Sequence, residues 1–266
     1  MDDRLAKRLV PDGLWEIVAP LLPAPKRRRQ GGGLRPVDDR AVFTAIVYVL
    51  TSGCAWRHLP AEFGVSTPTA HRRFQAWTRA GVWRRLHVAV LDQLGAAGEV
   101  DWSRVVADGA VVRAKRGGAL TGRNPVDRGK KGSKIHVLAD RTGLPLAVAI
   151  SAANTHDSLA LEPLVQAIPA IRSRRGRRRR RPDKLHADKG YDFPHLRAML
   201  RQRRITPRIA RRGIEPSDKL GRHRWIIESC IAWLFGRRRL TIRYERYPHL
   251  FLGLAAALIC YNRLTK

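Results

Sequence analysis

The 266-residue sequence holds only three cysteines, two methionines and 22 acidic residues. Cys54, Cys230 and Cys260 are odd in number, far apart and never paired as Cys-x-x-Cys. That spacing argues against a disulfide framework or a cysteine zinc site and suits a reducing compartment. A membrane span needs roughly 18 consecutive apolar residues; the longest apolar stretches, residues 41–50 and 250–261, are of buried-helix length. The start Met-Asp-Asp-Arg lacks the apolar region of a signal peptide. No Gly-rich loop of the Walker type is present, so the chemistry is expected to need no nucleotide cofactor. No membrane partner is expected, and the cytoplasm is the expected location.

What is abundant is positive charge. Lys plus Arg number 52, for a formal net charge of +30, and 42 of the 52 are arginine. The guanidinium fork suits phosphate better than any other side chain. A polyanionic partner follows, while a hydrophobic content of 44% leaves ample material for a core.

Helical periodicity governs the first hundred residues. Leu14, Ile17, Val18 and Leu21 recur at three and four, and Phe43, Ile46, Val47 and Leu50 repeat the pattern. Between them, residues 25–36 combine Lys-Arg-Arg-Arg with Gly-Gly-Gly and read as a flexible basic loop. After residue 59 a short helix should end at Gly64. Ser66 or Thr67 then caps a new helix, with Pro68 in its first turn, running to about Gly81. Short helix, tight turn and a longer helix bearing His71, Arg72, Arg73, Gln75 and Arg79 give the outline of a helix-turn-helix at about 58–81. Its second helix would enter the major groove. An ordinary helical hairpin with a solvated basic face is the alternative.

From about residue 95 the period turns to strands: 105–113, 134–140 and 146–151, the last two flanking a turn signal at 141–145 that includes Asp140 at its edge. A helix at 158–168 follows, with Asp157 either helping to shape a functional site or, more simply, capping that helix. In residues 174–181 seven of eight positions are arginine, and such dense like charge should keep the segment mobile until an anion, flanking or target DNA, binds it. A strand at 184–187, a helix capped by Asp192 with Pro194 in its first turn, and a strand at 205–210 complete an α/β outline. Helices at 222–235 and 248–264 end the chain.

Three carboxylates stand out. Asp108 interrupts the apolar run Val-Val-Ala-Asp-Gly-Ala-Val-Val, where an unpaired ionised group costs several kcal/mol, so something cationic must face it. Asp188 lies at a strand end in Ala-Asp-Lys-Gly-Tyr, where Gly190 permits close approach. Glu228, at about 100° per residue, shares a face with Ile231, Ala232 and Phe235 and is expected to point to the core. Together they could hold two Mg²⁺ ions about 3.5–4 Å apart, which would activate a water or 3′-hydroxyl against a phosphodiester. Alternatively each pairs with an arginine, Glu228 with Arg224 at i,i+4. Arg128, Lys130, Lys131 and Lys134 form a basic loop suited to phosphate. His136, His156 and His186 match no metal spacing and read as structural.

These motifs, in order, resemble the IS5 family of bacterial insertion-sequence transposases within the IS4-like group of DDE transposases. The first half matches through Leu14-Trp-Glu, residues 21–23, Gly-Cys-Ala-Trp-Arg-His-Leu-Pro at 53–60 and Arg-Phe-Gln-Ala-Trp at 73–77. The second half matches through Asp108-Gly109, Asn-Pro-Val-Asp-Arg-Gly at 124–129, Asn-Thr-His-Asp at 154–157, Asp-Lys-Gly-Tyr at 188–191 and Trp-Ile-Ile-Glu at 225–228.

The resemblance implies an α/β, RNase H-like catalytic domain at 98–266, a mixed five-stranded sheet with flanking helices, preceded by an all-α DNA-binding domain at 1–97. It implies an acidic triad of Asp108, Asp188 and Glu228 binding two Mg²⁺ ions, with Mn²⁺ able to substitute. The implied partners are the element's terminal inverted repeats and target DNA, in a homodimer because two ends are processed together, in a bacterial nucleoid-associated setting. The C-terminal signature of the wider group is Tyr-x2-Arg-x3-Glu-x6-Lys; Arg224 and Glu228 fit it, whereas Gly221 and Phe235 stand at the Tyr and Lys positions. Arg237 or Arg238, just beyond, would supply the missing phosphate contact. A DNA-binding relic or repressor without catalysis is the alternative function.

Overall fold

The computed structural model of the protein describes residues 3–24, 37–214, 221–247 and 251–265. The expected basic loop at 25–36 and the start of the expected last helix at 248–250 lie outside the described residues. The N-terminal region is all helical: α1 (Asp3–Leu9), α2 (Asp12–Val18), α3 (Asp39–Ser52), α4 (Thr67–Arg79) and α5 (Val82–Ala97). α3 starts where Asp38 accepts the Ala41 amide at 3.0 Å and stops at Gly53, whose φ of +73° only glycine adopts without strain. The expected short helix before Gly64 is a single 3₁₀ turn, Ala61–Phe63. Ser66 stands at the cap position of α4 with Pro68 just inside, but its hydroxyl donates to Thr69 Oγ1 (2.9 Å) rather than serving the helix backbone.

The second part is built on one sheet of β1 (Val105–Ala114), β2 (Gly122–Arg123), β3 (Lys131–Asp140), β4 (Pro145–Ala152), β5 (Lys184–Ala187), β6 (Thr206–Ile209) and β7 (Ile242–Arg243). Its five principal strands run β4-β3-β1-β5-β6. The first three are antiparallel, and β1, β5 and β6 are parallel. This is the mixed RNase H-like sheet, flanked by α6 (Ser158–Ala167), α7 (Pro194–Gln202), α8 (Gly221–Phe235) and α9 (Leu252–Leu264). The count of five strands needs correcting to seven, because two-residue strands extend the sheet at β3 and β1; pieces so short carry no periodic signal.

Asp140 organises the β3–β4 turn as expected, accepting from Thr142 N, Thr142 Oγ1 and Leu144 N at 2.8–2.9 Å, and it also takes the Asp101 amide. Asp192 does not cap α7. Phe193 holds that position, and Asp192 instead accepts two bonds from Arg197 and the Arg212 amide, contacts that hold its carboxyl below the usual range, the Arg212 amide foremost.

One hydrophobic core runs through both parts, from Val10 to Tyr261. α9 explains it: from Leu254 to Tyr261 every residue is buried, as in a helix covered on all sides. α5 covers one side, with Trp83 against Gly253, and β4 lies on the other. At this junction the His87 imidazole bonds to the Pro145 carbonyl at 2.8 Å, and burial pushes its pKa down to about 4. No helix among the described residues is long and apolar enough to cross a membrane.

The arginine segment 174–181 differs from expectation. It is a seated hairpin, closed by paired backbone bonds between Ile171 and Arg179 (2.8 Å each). Arg178 grips Asp92 of α5 (2.7 Å to Oδ1), Arg179 reaches Asp183 (2.6 Å), and Arg180 donates to Gln166 O (2.9 Å). Asp92, 86 residues away, supplies counter-charge that local composition did not reveal, and Asp183, four residues past Arg179, adds to it.

Candidate active site and basic surfaces

Asp108 and Asp188 are brought together by strand register. β1 and β5 pair only at Val105↔Leu185 and Val106↔His186, and β7 joins β1 again only at Arg113. Between those points β1 has no strand neighbour on that side among the described residues, and the notch opens at Asp108, level with Asp188 just past the end of β5. The Asp108 carboxylate accepts the Gly109 amide at 2.7 Å; burial raises its pKa, and Asp188 and Asp157 add to the rise while Arg224 opposes it. Asp188 is exposed and takes the Gly190 amide at 2.8 Å, which folds Lys189–Tyr191 into a 3₁₀ turn.

Glu228 is a correction. It does share a face with Ile231, Ala232 and Phe235, but that face is not the core: the buried stripe of α8 is Ile226, Ile227, Cys230 and Leu234. Apolar residues lie on both sides of this helix, with Trp225 61% exposed, so apolar neighbours did not identify the inner side. Glu228 is 58% exposed and paired to Arg224 at 2.9 Å, the i,i+4 arrangement kept open above. Such exposed pairs are weak, on the order of 0.5 kcal/mol. Among the described residues no three His, Cys, Asp or Glu side chains stand as a preformed metal cage. The donor chemistry nonetheless fits a hard cation: oxygen ligands only, with carboxylates that repel one another in its absence.

Asp157 stands at the N-cap position of α6, as expected, but not as a side-chain cap. Its side chain makes no cap bond to α6. It turns instead to Lys134 Nζ (3.0 Å) and His136 Nδ1 (3.7 Å). His136 is fully buried, its Nε2 bonded to Ser151 Oγ at 2.8 Å, its pKa lowered to about 4 chiefly by burial. His156 takes over at the helix start, Nδ1 lying 2.8 Å from Ser158 Oγ. Tyr191 is buried with its hydroxyl unbonded, and burial first, then Asp157, Asp108 and Asp188, hold that hydroxyl firmly protonated. Sequence reasoning missed Tyr191, whose signal was its spacing three residues past Asp188, and it set a site-shaping role for Asp157 second to helix capping.

The basic residues divide. Arg72 and Arg79 of α4 are exposed. Arg73 is half-buried against Asp39 of α3 (3.2 Å), an intramolecular tie rather than a free surface cation. Arg128 and Lys130 are exposed on a loop closed by Asn124, which accepts the Gly129 amide and donates its own to Lys130 O, Lys130 pairs with Asp127 at 3.2 Å, and Lys131 is the exposed first residue of β3. Lys134 is turned inward, its side chain 14% exposed, donating to Thr155 O. Arg224 faces Glu228 as above. Arg237 is partly buried and donates to Thr51 Oγ1 across to α3 at 3.4 Å, whereas Arg238 is exposed. Arg239, not singled out by sequence, is buried with Glu245 (2.7 Å) and bonds Cys54 O at 2.8 Å, joining the two parts.

Comparison with known proteins places this architecture. Residues 10–87 match a family described as proposed transposases of the IS4/5 family, and residues 98–263 match the transposase DDE domain family. The proposed transposase of insertion sequence element IS402 from Burkholderia cepacia is 46% identical over 149 residues, 55% of this chain and 71% of that protein. A 16.2 kDa uncharacterised protein of the same element is 45% identical over 123 residues, 46% of this chain and 84% of that protein. Among solved structures, the piggyBac transposase synaptic complex with hairpin DNA is similar over 80% of this chain and 51% of that one, at 12% identity and a TM-score of 0.39. So loose a likeness adds nothing to the reading of the site. The match over residues 98–263 is enough for the family: the chain belongs to the DDE-domain transposases of insertion sequences, in the IS4/5 group.

Proposed function

We propose that the protein binds the terminal inverted repeats of its insertion sequence, cleaves the element ends and joins the freed 3′-hydroxyls to target DNA by metal-dependent phosphodiester transfer. In this reading residues 1–97 carry end recognition, through Arg72 and Arg79 on α4, and residues 98–266 carry catalysis. The observation that supports it most is the level placement of Asp108 and Asp188 at the notch where β1 and β5 part. A bound pair of Mg²⁺ or Mn²⁺ ions would supply charge neutralisation at the phosphate and a deprotonated oxygen nucleophile. Asp108 and Asp188 would flank that site. Glu228 would complete it by exchanging Arg224 for the cation, a turn of one exposed side chain against a weak pair. Arg224, once released, is positioned to meet a DNA phosphate, and Asp157 with Lys134 braces the floor beneath Asp108. The exposed Arg128, Lys130 and Lys131 loop and Arg238 would hold flanking phosphates. A homodimer pairing two element ends, acting at the nucleoid in the cytoplasm, completes the proposal.

The test is incubation of purified protein with candidate element ends, Mg²⁺ and a supercoiled target. Asp108→Asn, Asp188→Asn and Glu228→Gln should each abolish cleavage and joining while end binding persists, since an amide keeps the shape and loses the charge. Retained cleavage in any folded single variant would remove that residue from the site. A wild-type chain that binds ends but never cuts them would favour a DNA-binding relic.

A further inference from the structure

We propose that the arginine hairpin is a second grip on duplex DNA, distinct from the carboxylate notch and from helix α4. The inference rests on DNA being the partner, as read above, but not on catalysis.

The hairpin is built as a fixed platform. Arg178, Arg179 and Arg180 are spent on anchoring, to Asp92, Asp183 and the Gln166 carbonyl, and Arg179 also lies over the Trp102 ring at 5.6 Å. Its base seats on bare helix backbone: a Cβ on Gly95 of α5 would come within 2.1 Å of the Arg172 carbonyl oxygen. Ser173 Oγ holds Arg177 O at 2.9 Å across the turn, which Gly176 makes at a φ of +84°. What these anchors present is Arg174, Arg175 and Arg177. All three are exposed, and among the described residues no carboxylate or carbonyl engages their guanidiniums. With Arg181 they rim an open recess of about 530 Å³ floored by Gly98 and Trp102.

Three unpaired guanidiniums held on a braced turn repel one another, and only an external anion relieves that. Planar forks at fixed spacing suit successive phosphates better than a flexible acidic peptide.

Position separates this grip from the cut. Asp183, which Arg179 holds, bonds Trp102 O at 2.8 Å at the entrance to β5, whereas Asp188 follows its exit. Five residues of extended chain span about 17 Å, or about five base-pair steps at ~3.4 Å each. That span separates the hairpin's Asp183 anchor from Asp188, so the exposed arginines hold either a neighbouring stretch of the same duplex or a second duplex.

The experiment uses the full-length chain, a 30-base-pair random-sequence duplex, no divalent metal and a salt titration followed by anisotropy. Changing Arg174, Arg175 and Arg177 together to Ser leaves every anchor in place. The expected result is a salt slope lower by about 2–3, from ~0.9 per phosphate contact, with affinity at ~0.1 M salt down at least tenfold and an unchanged melting temperature. Lys at the same three positions should keep the slope. Unchanged binding by the Ser variant, or a Lys variant as weak as the Ser variant, overturns the grip. Wild-type protein that fails to bind the duplex at all overturns the DNA reading itself. Capture of a labelled duplex by protein on a bead-bound duplex separates the two sources: bridging lost with the Ser variant assigns the hairpin to a second duplex, and bridging retained alongside weakened affinity assigns it to the first.

Discussion

His87 and His136 are imidazoles that the fold keeps neutral, each with its pKa lowered to about 4, burial being the main cause in both. Because the folded value lies below the unfolded value near 6.5, the unfolded chain binds more protons between those limits. Stability is then complete above about pH 6.5 and is lost as pH falls towards 4. Each histidine contributes on the order of 2 kcal/mol of loss between pH 7.5 and 5. The raised carboxyls of Asp108 and Asp140 act in the opposite sense, but nearer their own lower range. His87→Gln keeps an N–H for the Pro145 carbonyl and cannot titrate. Urea midpoints at pH 7.5 and 5 should show the variant losing about half of what the wild type loses; an equal loss in both would assign the acid sensitivity elsewhere. The structural role of His136 was legible beforehand and the neutrality of the two imidazoles was not, because whether a histidine is charged depends on which strand or helix closes over it.

Between elements, Gly95 gives the sharpest case. In an isolated helix Gly→Ala stabilises by about 1 kcal/mol. Here the added methyl meets the Arg172 carbonyl at 2.1 Å and Ile171 Cγ2 at 2.6 Å, so Gly95→Ala is expected to cost about 1–3 kcal/mol through overpacking. The midpoint of chemical unfolding reads this directly, and a stabilised variant would mean the hairpin is not seated on α5. Sequence foretold the parts of this junction but not the junction. The strands of the meander, β5, α6 and the buried length of α9 follow from alternation and apolar runs, which are local signals. The hairpin's seating depends on Asp92, some 80 residues away, and composition alone suggested mobility. The same division holds at the site. Asp108 and Asp188 were legible because a carboxylate in an apolar strand or at its end has few uses. The outward face of Glu228 was not, because α8 is apolar on two sides and only packing chooses between them.

At the scale of the whole molecule, one family match ends at residue 87 and the other begins at 98, yet the core does not divide there. α9 is covered by α5, with Trp83 lying against Gly253. Phe251, at the start of α9, stacks on Phe74 of α4 at 4.3 Å. Arg239 crosses to Cys54 O, and Arg237 to Thr51. Cutting the chain at 97/98 would bare the side of α9 that α5 covers, and each large side chain so uncovered is worth about 1.5–3 kcal/mol when buried. Four such side chains amount to about 6–12 kcal/mol, less after discounting for a compact unfolded state, which is the same size as the 5–15 kcal/mol by which a domain is stable. Residues 98–266 alone are therefore expected to lack a cooperative unfolding transition and to bind a hydrophobic dye, while co-expression with residues 1–97 should restore a folded pair. A sharp transition from the isolated fragment would show that α5 is dispensable to the sheet. The consequence for DNA recognition is practical: end recognition is separable from catalysis by changing the exposed Arg72 and Arg79 to Gln, which leaves the shared core untouched, and not by deleting the helices that bear them.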